Sequence, residues 1–276
     1  MAGMLYLVPT PIGNLGDISL RCRQTLEQAD FIAAEDTRVT LKLLNHLELK
    51  KPLVSYYEHN RNVSGSKIVE RILAGEVCAL VSDAGSPAIS DPGEDLVRQC
   101  AEAGITVSAV PGPCAAITAL SISGLPTGRF TFEGFLSVNK KSRQEHLTAI
   151  KNETRTMIFY EAPHKLNATL LDLAAAFGSE RRISLCRELT KLHEEVIRTT
   201  LQGAIEYYQT QEPRGEYVLI VEGAQIKAEA AVSTEDALLL VQEKMAEGMS
   251  RKDAVRLISK ETGISKNLLY DASMQA

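Results

Sequence analysis

The sequence predicts an α/β protein made of two α/β domains and a small C-terminal helical domain. Three observations support this prediction. Short apolar segments rich in β-branched residues alternate with helix-like segments through the first half of the chain. In the second half the strand-like segments are more closely spaced. From Thr234 onward the apolar residues recur with a helical period only. The length of 276 residues by itself allows one large domain or two small ones, each with its own core.

The first predicted domain, residues 1–126, alternates strands with helices. Its strand segments are MLYLVPTPIG, FIAAEDT, VCALVSD and ITVSAVPG, and its helix segments are ISLRCRQTLEQAD, VTLKLLNHL, SKIVERILAG, PGEDLVRQCAEAG and PCAAITALSISG. Pro92 and Gly104 are typical start and stop signals for the fourth helix. This order predicts a parallel sheet with helices on both faces.

The second predicted domain, residues 127–225, begins at the turn SGLPTGR. Its elements are RFTFEGFL, TMIFYEAP, a helix from His164 to Phe177, RISLCREL, VIRTTL and EYVLIVEG. The close spacing of these strands predicts a mixed sheet. The third domain, residues 226–276, begins within the segment AQIKAEAAV, which has the composition of a linker, and continues as helices.

Composition and charge exclude several classes of protein. The net charge of −5 provides no global basic field, so any contact with nucleic acid depends on local patches. The cysteines form no CxxC or Cys/His cluster, which predicts reduced thiols and no metal site. No apolar run is long enough for a membrane span, and the N-terminal segment lacks the basic region of a signal peptide. We therefore expect a cytoplasmic protein without a membrane partner.

Three loops rich in Pro, Gly and small residues follow predicted parallel strands. They are VPTPIGN (8–14), SDAGSPAISDPG (82–93) and VPGPCAAIT (110–118). Ligands of open parallel sheets bind outside the carboxyl ends of the strands, so the three loops predict a ligand site. The alternative is that they are tight turns without a ligand. The sequence has neither a GxxxxGK[ST] motif nor a GxGxxG motif after the first strand, which excludes a Walker loop and a dinucleotide fingerprint.

A series of motifs over residues 4–223 resembles a known family. The motifs are LYLVPTPIGNLGDIS, AEDTR, YYEHN, VSDAGSPAISDPG, VPGPCAAITALSISGLP, FYEAPHK and GEYVLIVEG. In this order they resemble the tetrapyrrole-methylase-type methyltransferases, which depend on S-adenosylmethionine. Within that family they are most similar to the bacterial enzymes that methylate a cytidine 2′-hydroxyl in small-subunit (16S) ribosomal RNA. The resemblance implies 2′-O-methylation of that RNA, with the RNA or the 30S subunit as partner, and a homodimer.

The resemblance also implies a cofactor site in the cleft between the two α/β domains. Gly85-Ser86-Pro87 stands where family members have Gly-Asp-Pro, so Asp83 is the candidate to supply the missing carboxylate. The residues carried over as S-adenosyl-L-methionine contacts are Ile12, Asp83, Ala84, Gly85, Ser86, Ile89, Ala115, Ala116, Tyr160 and Tyr217. Small side chains and backbone groups suit a bulky, folded ligand, because they let it approach closely.

Candidate catalytic residues lie in AEDTR, at the end of a predicted strand. Glu35 or Asp36 is placed to take the proton of a ribose hydroxyl, and Arg38 to hold a phosphate. The alternative is a helix N-cap with a surface ion pair.

Candidate RNA contacts fall into three groups. Glu58, His59, Asn60 and Arg61 in YYEHNR are suited to stacking on and hydrogen-bonding a base, although an ordinary exposed loop is the alternative. Lys140, Lys141 and Arg143 lie on a predicted exposed turn. Arg251, Lys252 and Arg256 belong to a basic stretch with a helix-turn-helix pattern, for which a solvated capping element is the alternative.

Two other functions compete with RNA methylation. The same fold can methylate a tetrapyrrole or another small molecule, but such a substrate has no need of a basic helical tail. A ribosome-assembly factor that binds RNA without catalysis is the other alternative. Saturable binding of S-adenosylmethionine separates an enzyme from an inert fold.

Overall fold

A computed structural model describes residues 3–225 and 233–275. The chain divides into two compact units, Met1–Ala224 and Gln225–Ala276. The predicted linker AQIKAEAAV falls almost entirely outside the described residues. The first unit contains two separate five-stranded sheets, and the domain division at residue 126 stays a prediction.

The first sheet is wholly parallel, with strand order β3-β2-β4-β1-β5. Its strands are β1 (Met4–Leu7), β2 (Phe31–Ala34), β3 (Leu53–Ser55), β4 (Val77–Val81) and β5 (Thr106–Ala109). The helices of this half are α1 (Leu20–Gln28), α2 (Thr37–His46), α3 (Arg61–Leu73), α4 (Gly93–Glu102) and α5 (Ala115–Ile122). The alternation predicted from the sequence is confirmed, apart from β3, which is too short to stand out.

Helices cover both faces of this sheet. On one face Leu26 and Leu44 pack against Ile32, and on the other Ile68 and Leu96 pack against Phe31. All four residues of β2 are buried, as expected for a strand covered on both sides.

The second sheet is mixed, as the sequence predicts, with strand order β6-β7-β10-β8-β9. Its strands are β6 (Phe130–Phe135), β7 (Thr156–Glu161), β8 (Arg182–Arg187), β9 (Glu195–Thr200) and β10 (Tyr217–Val221). β6 runs parallel to β7, and the other pairs are antiparallel. The pairing of β6 with β7 shifts register between Phe132 and Gly134, which marks a bulge.

Three helices belong to this half of the unit: α6 (Lys140–Ala149), α7 (Pro163–Phe177) and α8 (Leu201–Thr210). One face of the sheet forms a large core in which Phe159 and Leu219 pack with Leu170 and Leu201. The other face packs on α5, where Ala119 and its neighbours meet residues of the central strands. Since α5 follows the first sheet and packs on the second, it fixes the two sheets in one unit.

The C-terminal unit contains three helices: α9 (Thr234–Ala246), α10 (Arg251–Thr262) and α11 (Lys266–Gln275). Ser233 and Ser250 cap the first two of these helices, each accepting a hydrogen bond from a backbone N–H. Gly263 ends α10 in the left-handed conformation, at φ 73°. Val241, Ile258 and Leu269 are buried among the three helices, so the predicted helical character is confirmed. In the described part of the chain, no helix combines the length and apolarity needed to span a membrane.

Candidate active site

The three loops predicted to form a site meet at the carboxyl edge of the first sheet. Thr10 and Gly85 exchange backbone hydrogen bonds of 2.9 and 3.0 Å, which joins the first loop to the second. The Ser86 hydroxyl donates to the Pro113 carbonyl at 2.9 Å, which joins the second loop to the third. These bonds hold the loops together around a cleft.

The cleft has a volume of about 360 Å³ and is open to solvent. It is lined by Ile12, Glu35, Ser82, Asp83, Ala84, Gly85, Ser86, Ile89, Ser90, Asp91, Cys114, Ala115, Phe135, Tyr160, Cys186, Leu189, Glu216, Tyr217 and Val218. The structure therefore brings together every residue expected at the cofactor site except one.

The exception is Ala116, which does not line the cleft and is only 5% exposed. It packs with Ala119 and Leu120 in the core that joins α5 to the second sheet. α5 begins at Ala115, and successive residues of a helix point about 100° apart. Ala115 therefore faces the cleft while Ala116 faces the core.

Several lining residues escaped the sequence analysis. Cys186, Leu189 and Val218 come from the central strands of the second sheet or the loop after β8. The sequence placed these residues at or near the ends of predicted strands. It could not show that they meet at the cleft, because β8 and β10 are far apart in sequence. Phe135 lies within a predicted strand, where nothing in the sequence separates it from core aromatic residues.

Unusual backbone conformations cluster in two loops beside the cleft. Among described residues other than glycine, only Glu48 has a positive φ outside these loops. Ala88 (φ 68°) and Ser90 (φ 62°) lie in the loop after β4, and Glu188 (φ 51°) and Thr190 (φ 66°) lie in the loop after β8. Such conformations cost free energy and are often found at functional sites.

Asp91 holds the loop after β4 in this conformation. Its Oδ1 accepts hydrogen bonds from the backbone N–H of Ala88 at 3.0 Å and of Gly93 at 2.7 Å. This loop is rich in small and acidic residues because its backbone turns sharply and one carboxylate fastens the turn. A second carboxylate, Asp83, accepts a hydrogen bond from the backbone N–H of Asp36 at 3.0 Å.

The acids of the AEDTR motif take different places. Glu35 lines the cleft, and burial together with the charges of Asp83, Asp91 and Asp36 raises its pKa. Asp36 does not line the cleft. It caps α2 by accepting a hydrogen bond from the Arg38 N–H at 2.8 Å, and its carboxylate is 2.6 Å from Arg38 Nη2.

Hydrogen bonds from the Arg38 side chain and backbone lower the pKa of Asp36 to about 2. Asp36 and Arg38 therefore form the N-cap and surface ion pair that was the alternative interpretation of the motif. Among the three catalytic candidates, Glu35 alone reaches the cleft.

The predicted RNA-binding tract 58–61 forms a turn that leads into α3, and none of its four residues lines the cleft. The Asn60 side chain accepts from the Tyr57 N–H at 2.8 Å and donates to the Ser55 carbonyl at 3.1 Å. Arg61 pairs with Glu58 at 3.1 Å and with Asp95 at 3.0 Å. His59 meets the Tyr57 ring edge-on at 6.3 Å. The polar groups of Asn60 and Arg61 thus serve the local fold.

The basic cluster 139–143 is the start of α6, and the prediction of an exposed turn is wrong. Asn139 caps the helix, and Lys140 and Lys141 lie exposed in its first turn. The Arg143 side chain is only 12% exposed, with its Nε 2.6 Å from Asp172 and its Nη2 donating to Thr169. Arg143 is therefore a structural residue that ties α6 to α7.

The basic residues of the tail lie on α10. Lys252 and Arg256 are exposed and one helical turn apart, so they share a face. Arg251 is half-buried, with Nη1 2.7 Å from the sulfur of Met274. In residues 3–225 and 233–275, no group of three or more His, Cys, Asp or Glu residues is arranged to hold a metal ion.

Two five-stranded sheets with flanking helices and a loop-lined cleft form the fold of a known class of methyltransferases. The structure is similar to diphthine synthase, with a TM-score of 0.60 at 12% identity over 80% of this chain and 90% of that chain. It is also similar to uroporphyrin-III C-methyltransferase from Thermus thermophilus complexed with S-adenyl homocysteine, with a TM-score of 0.56 at 18% identity over 80% and 97% of the two chains. These likenesses show the fold.

Residues 4–205 match the family of tetrapyrrole (corrin/porphyrin) methylases, and the chain belongs to that family. Relatives match the chain over almost its whole length. A protein of Synechocystis sp. named ribosomal RNA small subunit methyltransferase I is 47% identical over 99% of this chain and 98% of its own length. Its namesake in Bacillus subtilis is 44% identical over 98% of this chain and 94% of its own.

Proposed function

We propose that the protein transfers a methyl group from S-adenosylmethionine to a cytidine 2′-hydroxyl in small-subunit ribosomal RNA. One observation carries the proposal. The family model ends at residue 205, and the two structural likenesses above each cover 80% of the chain, whereas the relatives named for ribosomal RNA match 98–99% of it. The match therefore includes the C-terminal helical unit, which carries the exposed cations Lys252 and Arg256.

The cleft residues fit the methyl donor. A volume of about 360 Å³ lies within the range of small-molecule sites. When bound, S-adenosylmethionine supplies an electrophilic methyl group on a positively charged sulfur. The lining has four carboxylates, from Glu35, Asp83, Asp91 and Glu216, and its described residues include no Lys or Arg. Glu216 forms an ion pair with Lys191 at 2.8 Å, so the negative charge of the cleft comes mainly from the other three. Opposite charge favours the cationic donor, and Ala84, Gly85 and Ala115 leave room for it.

Glu35 is the carboxylate best suited to accept the proton of the ribose hydroxyl. Its position in the cleft brings it within reach of a bound substrate, and its raised pKa makes it a stronger base than an ordinary glutamate. Asp36 has the opposite character, because Arg38 stabilises its ionised form and lowers its pKa to about 2. Asp36 and Arg38 instead position Glu35 by fixing the start of α2.

The phosphates of the RNA bind outside the cleft, because the carboxylates of Glu35, Asp83 and Asp91 repel them. Exposed cations elsewhere meet the backbone: Lys140 and Lys141 at the start of α6, and Lys252 and Arg256 on α10. The partner is then ribosomal RNA or the 30S subunit, which places the enzyme in the cytoplasm. By the resemblance to its family we also propose that it acts as a homodimer.

A tetrapyrrole substrate is the second candidate, and the charge of the cleft argues against it. Tetrapyrrole precursors carry several carboxylate side chains, which the acidic lining repels. A non-catalytic RNA-binding factor has no need of the cleft, the strained loops beside it or a glutamate with a raised pKa.

The test is to map ribose methylation on 16S ribosomal RNA from cells with and without the gene. We expect one cytidine to lose its 2′-O-methyl group in the deletion strain and to regain it when the gene is restored. Purified protein should also label 30S subunits from the deletion strain when it is given tritiated S-adenosylmethionine. An unchanged methylation map, with no labelling of subunits, would contradict the proposal.

A further inference from the structure

Phe135 is a large aromatic residue that lies exposed at the cleft. It lines the cleft, yet it exposes 57% of its surface. Its ring meets Tyr160 edge-on, with centroids 5.5 Å apart, and Phe132 meets the same Tyr160 at 5.1 Å. Exposed aromatic rings are the usual surface on which unpaired RNA bases stack.

A bulge in β6 directs Phe135 toward the cleft. Phe132 pairs with Ile158, but Gly134 rather than Glu133 pairs with Phe159, and Phe135 then pairs with Tyr160. In a regular strand Phe132 and Phe135 would point to opposite faces of the sheet. The extra residue places both on the face that Ile158 and Tyr160 occupy.

The other face of the sheet shows what the bulge avoids. Met157 and Phe159 point to that face and are completely buried in its core. Without the bulge, Phe135 would join this core. The bulge depends on Gly134, whose φ of 62° suits glycine, and a Cβ there would lie 3.4 Å from the Ser90 hydroxyl oxygen of the cleft loop. The local backbone is thus built to expose an aromatic ring beside the cleft.

Charge selects the kind of molecule that stacks there. The carboxylates of the cleft exclude phosphate, but a base is neutral and planar, and the exocyclic amine of cytosine can donate to a carboxylate. Proteins that recognise one nucleotide in RNA mostly target unpaired segments, where the base can be splayed out of its stack. An aromatic ring at the rim restores one of the lost stacking contacts.

We propose that Phe135, supported by Tyr160, is the platform on which the base of the target nucleotide stacks while its ribose lies in the cleft. This inference rests on the proposed function and adds the residue that positions the substrate. Phe132 contributes by packing edge-on against the Tyr160 ring, which helps to hold that ring in place beside Phe135.

The experiment compares Phe135→Ala, Phe135→Trp and Phe130→Ala with the unchanged protein. Phe130 is a matched control, because it lies on the same strand, is 39% exposed and does not line the cleft. For each protein we would measure methyl transfer to undermethylated 30S subunits over a range of subunit concentrations. Calorimetry would give the affinity for S-adenosylmethionine, and sedimentation the oligomeric state.

We expect Phe135→Ala to raise the KM for subunits about 10-fold or more, the effect of losing one stacked base. The affinity for S-adenosylmethionine should stay within about 2-fold, because Phe135→Ala leaves Tyr160 and the loop residues expected to contact the donor in place. Phe135→Trp should restore the KM, and Phe130→Ala should leave both quantities unchanged.

Three results would overturn the inference. An unchanged KM in Phe135→Ala would show that no base stacks there. Weaker binding of S-adenosylmethionine with an unchanged KM would show that Phe135 contacts the donor. A change in oligomeric state, together with weaker binding of both the subunits and the donor, would show that Phe135 contacts a second copy of the chain. If the unchanged protein methylates no subunits, the proposed function fails first, which is a distinct outcome.

Discussion

The backbone N–H of Asp36 donates a hydrogen bond to Asp83 Oδ1 at 3.0 Å. This bond joins the segments that follow two neighbouring strands, β2 and β4. It thereby fixes the position of Glu35, which directly follows β2 and lines the cleft. It also brings carboxylates close together, so that Asp83 contributes to the raised pKa of Glu35, and burial raises the pKa of Asp83 itself. Function and stability are therefore in conflict at this point of the fold.

Replacing Glu35 with Gln should slow the reaction and stabilise the protein. Loss of a general base lowers kcat by about 100-fold or more. The pKa of Glu35 is higher in the folded protein than in the unfolded chain, so ionisation of Glu35 lowers the free energy of unfolding. This loss of stability begins as the pH rises above 4.5 and is complete above the raised pKa of the folded state. The melting temperature of Glu35→Gln should exceed that of the unchanged protein at pH 7, and the difference should disappear in acid.

The matched control for Glu35→Gln is Glu70→Gln, which removes an exposed glutamate from α3. It should leave kcat and melting temperature unchanged. An unchanged kcat in Glu35→Gln would mean that the reaction needs no base from this residue.

Neutralising Asp83 should weaken donor binding more than product binding. The donor carries a positive sulfur that the product lacks, so the carboxylates of the cleft favour the donor. Asp83→Asn keeps a side-chain acceptor for the Asp36 N–H but removes one charge. We expect the affinity for S-adenosylmethionine to fall about 5-fold, worth about 1 kcal/mol, with little change for S-adenosylhomocysteine. Calorimetry with both ligands measures this, and equal losses would argue against electrostatic selection.

Arg143 and Lys141 should respond differently to replacement, although they lie two residues apart. Arg143→Ala removes charged hydrogen bonds to Asp172 and Thr169 and should lower the free energy of unfolding by about 1–3 kcal/mol. Lys141→Ala removes an exposed charge and should change stability by less than about 0.5 kcal/mol. Urea denaturation measures both. Equal effects would contradict the structural role assigned to Arg143.

Neutralising Lys252 and Arg256 together should weaken RNA binding and reduce its dependence on salt. Each phosphate contact that is lost lowers the slope of log affinity against log salt by about one. The two residues are exposed on α10, so the helices should remain folded. A salt titration of RNA affinity, with circular dichroism as the control for folding, provides the test. An unchanged slope would make the C-terminal unit a structural element rather than an RNA contact.

The sequence predicted the parallel sheet and its loops well, because buried strands and capped helices leave strong local patterns. It missed α6, whose segment KKSRQEHLTA buries only Leu147, so no apolar stripe marks it as a helix. The role of Arg143 was missed for a related reason. Its partner Asp172 lies on another helix, 29 residues away, and only the packing of α6 on α7 brings them together.

The sequence predicted the loops that form the candidate site, but it did not predict the aromatic residue at the edge of the cleft. Glycine and proline in three loops pointed to the cleft, and the resemblance supplied Tyr160 and Tyr217. The sequence analysis missed Phe135, because the direction of its side chain depends on the one extra residue of the bulge in β6. The regular alternation of a strand would place Phe135 on the opposite face of the sheet from Phe132. The resemblance also assigned both Ala115 and Ala116 to the cleft, but only Ala115 lines it, because successive residues of a helix point in different directions.

The position of β1 in the first sheet has a consequence for synthesis of the chain. β1 is made first, yet it lies between β4 and β5, where Met4 pairs with Val77 and Thr106. At about 5–20 residues per second, roughly 5–20 s pass between translation of β1 and of its second partner. During that time Leu5, completely buried in the finished sheet, has no ladder to join. Until β4 and β5 are made, the apolar strand β1 is exposed to the non-native contacts that chaperones prevent.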